Sequence, residues 1–287
     1  MATAAPQPVV RAGGSSRSRR LVLVLAVGWI AALVLLALLA DVLPLPGTDK
    51  PVGAARTPPF SAAGPWLGTD GIGRDMASRL VFGVRISMMV SLGATAIALV
   101  LGVVLGLLSA YLKGPIEAAI NIMTDVMLSF PPLLLLLALA TVVRPGVGTL
   151  IVSLGLLFAP PFARITRASA LVQLERDYIT AARSLGAGHL RILFRELLPN
   201  CIQPVISYAV VVIALVIVIE GSLSFLGVGV PPPAPSWGGM IAAGKERLDG
   251  APYLVVMPSL MIFLTVFAFN TVGDKLRRRA SHGRSDA

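Results

Sequence analysis

The chain is poor in the residues that most chemistry needs. It has a single cysteine, Cys201, and two histidines, His189 and His282, in 287 residues. A lone thiol excludes an intramolecular disulfide and any paired-thiol metal or redox site. Two isolated histidines leave no His/carboxylate cluster with metal-ligand spacing, so neither a metal nor a catalytic site is expected. Cys201 itself reads as a small residue near a helix end. Charge is scarce too: 13% of residues are Asp, Glu, Lys or Arg, where a soluble domain carries about a quarter. There is no internal repeat and no long low-complexity tract.

What fills the space is apolar. Hydrophobic residues make up 56% of the chain and mean hydropathy is +0.84. They fall in blocks of roughly 17–25 residues, the length of helix that crosses a hydrocarbon core of about 30 Å. The fold class expected is all-α, a polytopic transmembrane bundle of six spans: Leu21–Val42, Ile86–Leu112, Ile116–Val143, Val147–Ala163, Cys201–Glu220 and Tyr253–Val272. The first run is longer than the apolar core of a secretory signal, about 7–15 residues, and reads as an uncleaved helix. The fifth is rich in β-branched residues, yet its length and lack of polarity decide for a helix in lipid. The segments 1–20 and 277–287 are the tails, and within them Met1–Ser18 and Ala280–Ala287, small and polar, read as disordered.

The net charge of +10 does not point to nucleic acid, because the basic residues flank the spans. There they set orientation and favour membrane lipid headgroups. The side bearing both termini also collects Lys113 and the arginines from Arg164 to Arg195, so it is expected to be cytoplasmic. Two segments then lie outside. One, Leu43–Val84, ends in GRDMASRLVFG, which reads as an amphipathic turn at the surface. The other, Gly221–Pro252, contains GVGVPPPAPSWGG, whose prolines enforce extended backbone. Trp66, Trp237 and Tyr253 near span ends read as interfacial anchors.

Gly239–Lys245 matches most of a phosphate-binding loop, but Glu246 stands where Ser or Thr would hold magnesium, and no strand precedes it. The chain is not expected to hold ATP there. Acids within spans are functional suspects by default. Glu117 and Glu220 lie near span ends, within reach of interfacial water or a basic partner, and Asp125 lies deeper. For each, a helix-packing or interfacial role outweighs a proton relay. A stand-alone secondary carrier using Asp125 or Glu220 is the competing class.

The conspicuous polar segment is Asp177–Pro199, DYITAARSLGAGHLRILFRELLP. Helix-forming residues run from Leu171 to Ser184, Gly186 and Gly188 interrupt them, and a second helical stretch runs to Leu197 before Pro199 opens the next span. A helix–glycine–helix element left in water between two apolar runs suits a docking knob, because glycine permits a left-handed turn and close backbone approach.

Thr180-Ala-Ala-Arg-Ser-Leu-Gly186, followed by Leu198-Pro199, resembles the EAA loop of ABC importer permeases. Ala181, Ala182, Gly186, Leu198 and Pro199 fall in register, while Thr180 replaces the usual Glu and Glu196 the usual Ile. Leu67–Asp75 (LGTDGIGRD), Leu223–Gly229, Pro235–Gly238 and Phe269–Asp274 resemble the C-type permease subunit of dipeptide, oligopeptide and nickel importers.

The resemblance implies a type I importer permease fold over 21–276 with a coupling loop at about 164–199. It also implies a heterodimer with a B-type permease subunit, two cytoplasmic ABC ATPase subunits that bind ATP and magnesium, and an extracytoplasmic solute-binding protein. The chain would be a non-catalytic transport subunit in a bacterial inner membrane, carrying peptides or alternatively nickel or another small solute. The residues implied in ATPase coupling are Asp177, Tyr178, Thr180, Ala181, Ala182, Arg183, Leu185, Gly186, Ala187, His189, Leu198 and Pro199.

Overall fold

The computed structural model of the protein describes residues 16–62 and 64–282. The outermost parts of the expected tails lie outside these. Among the described residues, five helices are long and apolar enough to cross a membrane, and a bent pair makes up to six. The five are α1 (Ser16–Leu39), α2 (Met76–Tyr111), α5 (Val147–Leu174), the continuous body from His189 to Phe225, and α10 (Tyr253–His282). Within that continuous body, α7 (His189–Arg191) passes through a π-wound turn at Ile192–Leu197 into α8 (Leu198–Phe225). Between the long helices lie α3 (Pro115–Ser129), α4 (Pro132–Val142), α6 (Asp177–Ser184) and α9 (Trp237–Gly244).

The expected third span, Ile116–Val143, is not one straight helix. α3 and α4 meet at 90°. Phe130 stands before Pro131 and adopts extended backbone, φ −91° and ψ 133°. Steric conflict with the proline ring denies that residue the helical region, and Pro132 then opens α4, where its missing N–H costs nothing.

Other boundaries move for local reasons. α2 begins at Met76 rather than Ile86, because Asp75 caps it: the carboxylate accepts from the Ser78 N–H at 2.8 Å and the Ser78 hydroxyl at 2.6 Å. The GRDMASRLVFG stretch is therefore the first turns of a long helix and not a surface element, with Met76, Arg79 and Leu80 buried. α5 continues through Ala163 to Leu174 despite Pro160 and Pro161. Pro160 is buried and Pro161 half-buried, and contact with neighbouring helices lets spans tolerate proline. Pro199 does not open a separate helix either, since the π-wound turn joins the elbow to the span without a break.

The tightest packing runs between α2 and α5. On α2, Ala94, Ala98, Gly102, Gly106 and Ala110 recur every fourth residue and are all buried. On α5, Gly155, Ala159 and Ala163 do the same. A Cβ on Gly102 would stand 2.2 Å from the Phe162 Cβ and 2.8 Å from the Ala159 carbonyl. Lipid is as apolar as a leucine side chain, so close van der Waals approach between small residues holds such helices together rather than a hydrophobic drive.

A second core gathers α1, α2, α8, α9 and α10 around Trp237. That tryptophan is fully buried, and its indole N–H donates to the Leu80 carbonyl at 3.2 Å. It is a core residue and not an interfacial anchor. Trp66, in contrast, is exposed, and the Tyr253 hydroxyl lies 3.0 and 2.8 Å from the carbonyls of Thr57 and Thr69.

Candidate functional site

The elbow between α5 and α8 is built from short helical pieces, one of which ends in a glycine-dependent turn. α5 ends at Leu174, Glu175 and Arg176 break the helix, and α6 restarts at Asp177, whose charge suits a helix N-terminus. α6 stops in a Schellman arrangement. The Ala187 N–H donates to the Ala182 carbonyl at 3.0 Å, and the Gly186 N–H to the Arg183 carbonyl at 3.0 Å. Gly186 takes φ +76°, a left-handed conformation that L side chains disfavour. The spacing Ala182-x3-Gly186 is thus a helix stop written in sequence. Gly188 plays a different part: it is extended, at φ −68° and ψ 161°, and precedes α7.

One side of the elbow is pinned. Ile179 on α6 and Ile192, Leu193 and Leu197 in the π-wound turn are buried. The Tyr178 hydroxyl donates to Gln173 Oε1 at 3.0 Å, and burial pushes that phenol above its ordinary range. The Tyr111 hydroxyl at the end of α2 lies 2.6 Å from His189 Nδ1, with the rings edge to face. Ser184 Oγ donates to the Thr180 carbonyl at 3.1 Å. The elbow is therefore tied at once to the ends of α2, α5 and α8.

The other side is bare. Asp177, Thr180, Ala181, Arg183, Gly186 and His189 are exposed, Ala182 and Ala187 are half-buried, and Leu185, Leu190 and Phe194 are 88%, 71% and 61% exposed. A Cβ added to Gly186 would meet nothing within 4 Å. Leu198 is half-buried and Pro199 exposed at the start of α8, so these two belong to the root of the elbow and not to its tip. The structure brings the remaining expected residues together on one knob. Sequence reasoning missed the anchors Ile179, Tyr111 and the π-wound turn, whose only signal was an apolar residue in an otherwise polar stretch.

The intramembrane acids divide into two kinds. Glu117 and Asp125 on α3 pair with Arg167 and Arg164 on α5, the second pair at 2.5 Å. Glu220 has no ion-pair partner among the described residues. It is 1% exposed, accepts from Ser224 Oγ at 2.9 Å, and lies beside Ser87 and Ser236.

The remaining motifs on the opposite side of the bundle are packing devices. Asp70 accepts from the Ile72 and Arg74 N–H groups and pairs with Arg74 at 2.6 Å and Arg79 at 3.5 Å, which shapes the turn before α2. Gly227, at φ +85°, stops α8 as Gly186 stops α6, with the Val228 N–H donating to the Leu223 carbonyl at 2.9 Å. Ser236 caps α9, and Gly238 lets that helix touch Gly221. Gly239 to Gly244 lie within α9, so the phosphate-loop look-alike is helical and offers no cradle.

Solved structures of ABC transporters share this arrangement. One, described as inward facing conformations of the MetNI methionine ABC transporter, matches with a TM-score of 0.60 at 20% identity, covering 71% of this chain and 97% of that chain. Another, an amino acid ABC transporter with histidines, matches at 0.56 and 16% identity, covering 71% and 94%. The fold is that of an ABC importer's membrane-embedded permease. The family model for the binding-protein-dependent transport system inner membrane component matches residues 102–282, and the chain belongs to that family.

Among its relatives, the di/tripeptide transport system permease protein DppC of Pseudomonas aeruginosa is 40% identical over 211 residues, 74% of this chain and 70% of that protein. The glutathione transport system permease protein GsiD of Pectobacterium atrosepticum is 39% identical over 212 residues, again 74% and 70%. The protein is accordingly a multi-pass inner-membrane permease that works with other ABC subunits.

Proposed function

We propose that this chain is one of two permease subunits of an ATP-driven importer of di- or oligopeptides. In this reading its elbow is the seat of an ATPase subunit. The names carried by its relatives support the cargo: a di/tripeptide carrier and a glutathione carrier both move short peptides, which favours peptides over a nickel complex. The partners that complete the machine are a B-type permease, two cytoplasmic ATPases that hold ATP and magnesium, and an extracytoplasmic solute-binding protein. Both termini and the elbow face the cytoplasm, on the side where basic residues gather. The chain itself is a transport subunit without catalysis.

One observation carries the coupling role. Leu185, Leu190 and Phe194 are left bare on a knob whose other face is rooted in three long helices. ATP shifts a conformational equilibrium only through contacts that differ between the two states, and a bare apolar knob on a stiff mount supplies such contacts. Closure of the ATPases would move α6, and through it α5 and α8, so that the cavity shared with the second permease changes the side on which it opens. Paired acids on α3 speak against the secondary-carrier reading, since Glu117 and Asp125 already hold arginine partners.

The test is uptake by the reconstituted complex. Gly186→Trp forces a bulky side chain into a left-handed position, at about 1–2 kcal/mol for the backbone alone, and places it in the partner's groove. We expect membrane insertion to survive and ATP-coupled uptake to vanish. Leu185→Ala should remove about 2–4 kcal/mol of docking energy, as truncation of a buried interface anchor does. Wild-type uptake by Gly186→Trp would refute the docking role.

A further inference from the structure

Charged side chains on the seam between α3 and α5 are exposed at a depth where lipid cannot accommodate them. Asp125 lies ten residues from the Pro115 end of α3, and Arg164 lies ten residues from the Leu174 end of α5, each about 15 Å along its helix. Both of those ends sit on the elbow side, because Tyr111, just before α3, touches His189. α5 is a candidate span as far as Leu174, and α3 with α4 makes a bent one. A depth of about 15 Å from those ends falls within a hydrocarbon core of about 30 Å. Arg164, expected at the cytoplasmic edge, lies within the span on this reading. The two charges are paired at 2.5 Å, yet the Arg164 and Asp125 side chains remain 57% and 61% exposed. Ionisable groups at such depth face protein or a water-filled cavity, not acyl chains.

The pair does not stand alone. Glu117, Asn121 and Asp125 recur every fourth residue on α3, which puts them on one face of that helix. Glu117 bonds Arg167, and Asn121 Oδ1 accepts from Ser109 Oγ at 3.2 Å, so the polar stripe starts at the elbow end and leads inward to Asp125 and Arg164. The rest of α3 is different in kind, with Ile116, Ile122, Met123 and Val126 exposed as apolar surface.

We infer that the α3–α5 seam lines the aqueous inner stretch of the translocation path, and that Asp125 and Arg164 receive the two charged ends of a passing peptide. This rests on the importer reading above. A zwitterionic peptide carries an ammonium and a carboxylate, and a surface that presents one carboxylate beside one guanidinium offers each end a partner. The existing pair closes on itself when the peptide leaves, so no charge is stranded in the membrane. A path lined in this way conducts without holding its cargo, because each contact with substrate competes with the internal ion pair.

The experiment uses the full complex in proteoliposomes with its binding protein, reading dipeptide import and binding-protein-stimulated ATP hydrolysis in parallel. Asn121→Cys leaves both ion pairs intact and Asp125→Cys tests the deeper point. The native Cys201, buried at 1% exposure, serves as the unreactive background. The inference expects a membrane-impermeant methanethiosulfonate reagent to modify both positions, and modification to stop import while stimulated hydrolysis continues. Asp125→Asn and Arg164→Gln should each lower the import rate about tenfold, equivalent to about 1.4 kcal/mol. The inference is overturned if the reagent labels Leu185→Cys in the free permease but neither seam position in the complex, which would place the seam against the second permease or lipid. It is equally overturned if both positions are labelled and import is undisturbed. Failure of the unmodified complex to import with ATP would sink the importer reading and this inference with it, a result separable from the others because it appears before any substitution.

Discussion

Asp75 shows how much one polar residue decides in an apolar chain. Its carboxylate takes both the N–H and the hydroxyl of Ser78, sets the first residue of α2, and closes a turn in which Thr69 bridges back to Asp75. Gly68 and Gly73 in that turn have positive φ, and a Cβ at either would collide with backbone, 2.3 Å from the Thr57 carbonyl or 2.4 Å from that of Gly53. The motif LGTDGIGRD is therefore a capping device, and its charges are spent on holding the turn. Asp75→Ala should cost about 0.5–2 kcal/mol, the usual loss for an N-cap, read as a lower unfolding midpoint of the detergent-solubilised protein. An unchanged midpoint would mean that the cap carries nothing. The cap could be recognised in the sequence, since Asp precedes a helical run by one residue. The apolar-run criterion hid it, because Arg79 and Arg85 interrupt the hydrophobic block and put the expected start at Ile86.

At the level of elements, the sequence was informative where chemistry is local and silent where it is mutual. The Ala182-x3-Gly186 stop on α6 could be expected from residue types alone, and Gly186 does adopt the left-handed turn. The bend between α3 and α4 was equally local, carried by Pro131 and Pro132, yet continuous hydropathy across them masked it. The ion pairs Arg164–Asp125 and Arg167–Glu117 were not legible, because nothing in α3 says which helix will lie beside it. Trp237 misled for a similar reason: a tryptophan near a span end suits a headgroup anchor until Gly83 on another helix makes room for its ring. The small residues at every fourth position of α2 were present all along, and only the observed contact with Gly155, Ala159 and Ala163 gives them meaning. Gly102→Val tests that seam. With the Phe162 Cβ 2.2 Å from an added Cβ, overpacking should cost about 1–3 kcal/mol or more. The expected result is a lower midpoint and a poorly folded fraction on size-exclusion chromatography. A well-folded variant of native stability would show that α2 and α5 slide apart freely.

The molecule as a whole has a stiff centre and two working ends. At one end, turns capped by Asp75 and Ser236 and stopped by Gly227 pack the loops between spans against α2 and α10. At the other, α2, α5 and the unbroken body from His189 to Phe225 converge on the elbow, so displacement of α6 reaches two spans through the short breaks at Glu175–Arg176 and Leu185–Gly188. The π-wound turn at Ile192–Leu197 is an irregularity within the helical body that continues into α8, and such turns are frequent at functional positions. Force delivered to the knob by a separate motor is the claim on which the coupling account depends. The most direct measurement places a photo-crosslinking residue at Leu185 in the assembled complex and asks what it captures under illumination. The account predicts an ATPase subunit, with capture changing between the nucleotide-free and ATP-bound complex and reagents reaching the elbow from the cytoplasmic face. Capture of lipid or of the binding protein alone, or labelling of the elbow from outside the cell, would contradict it.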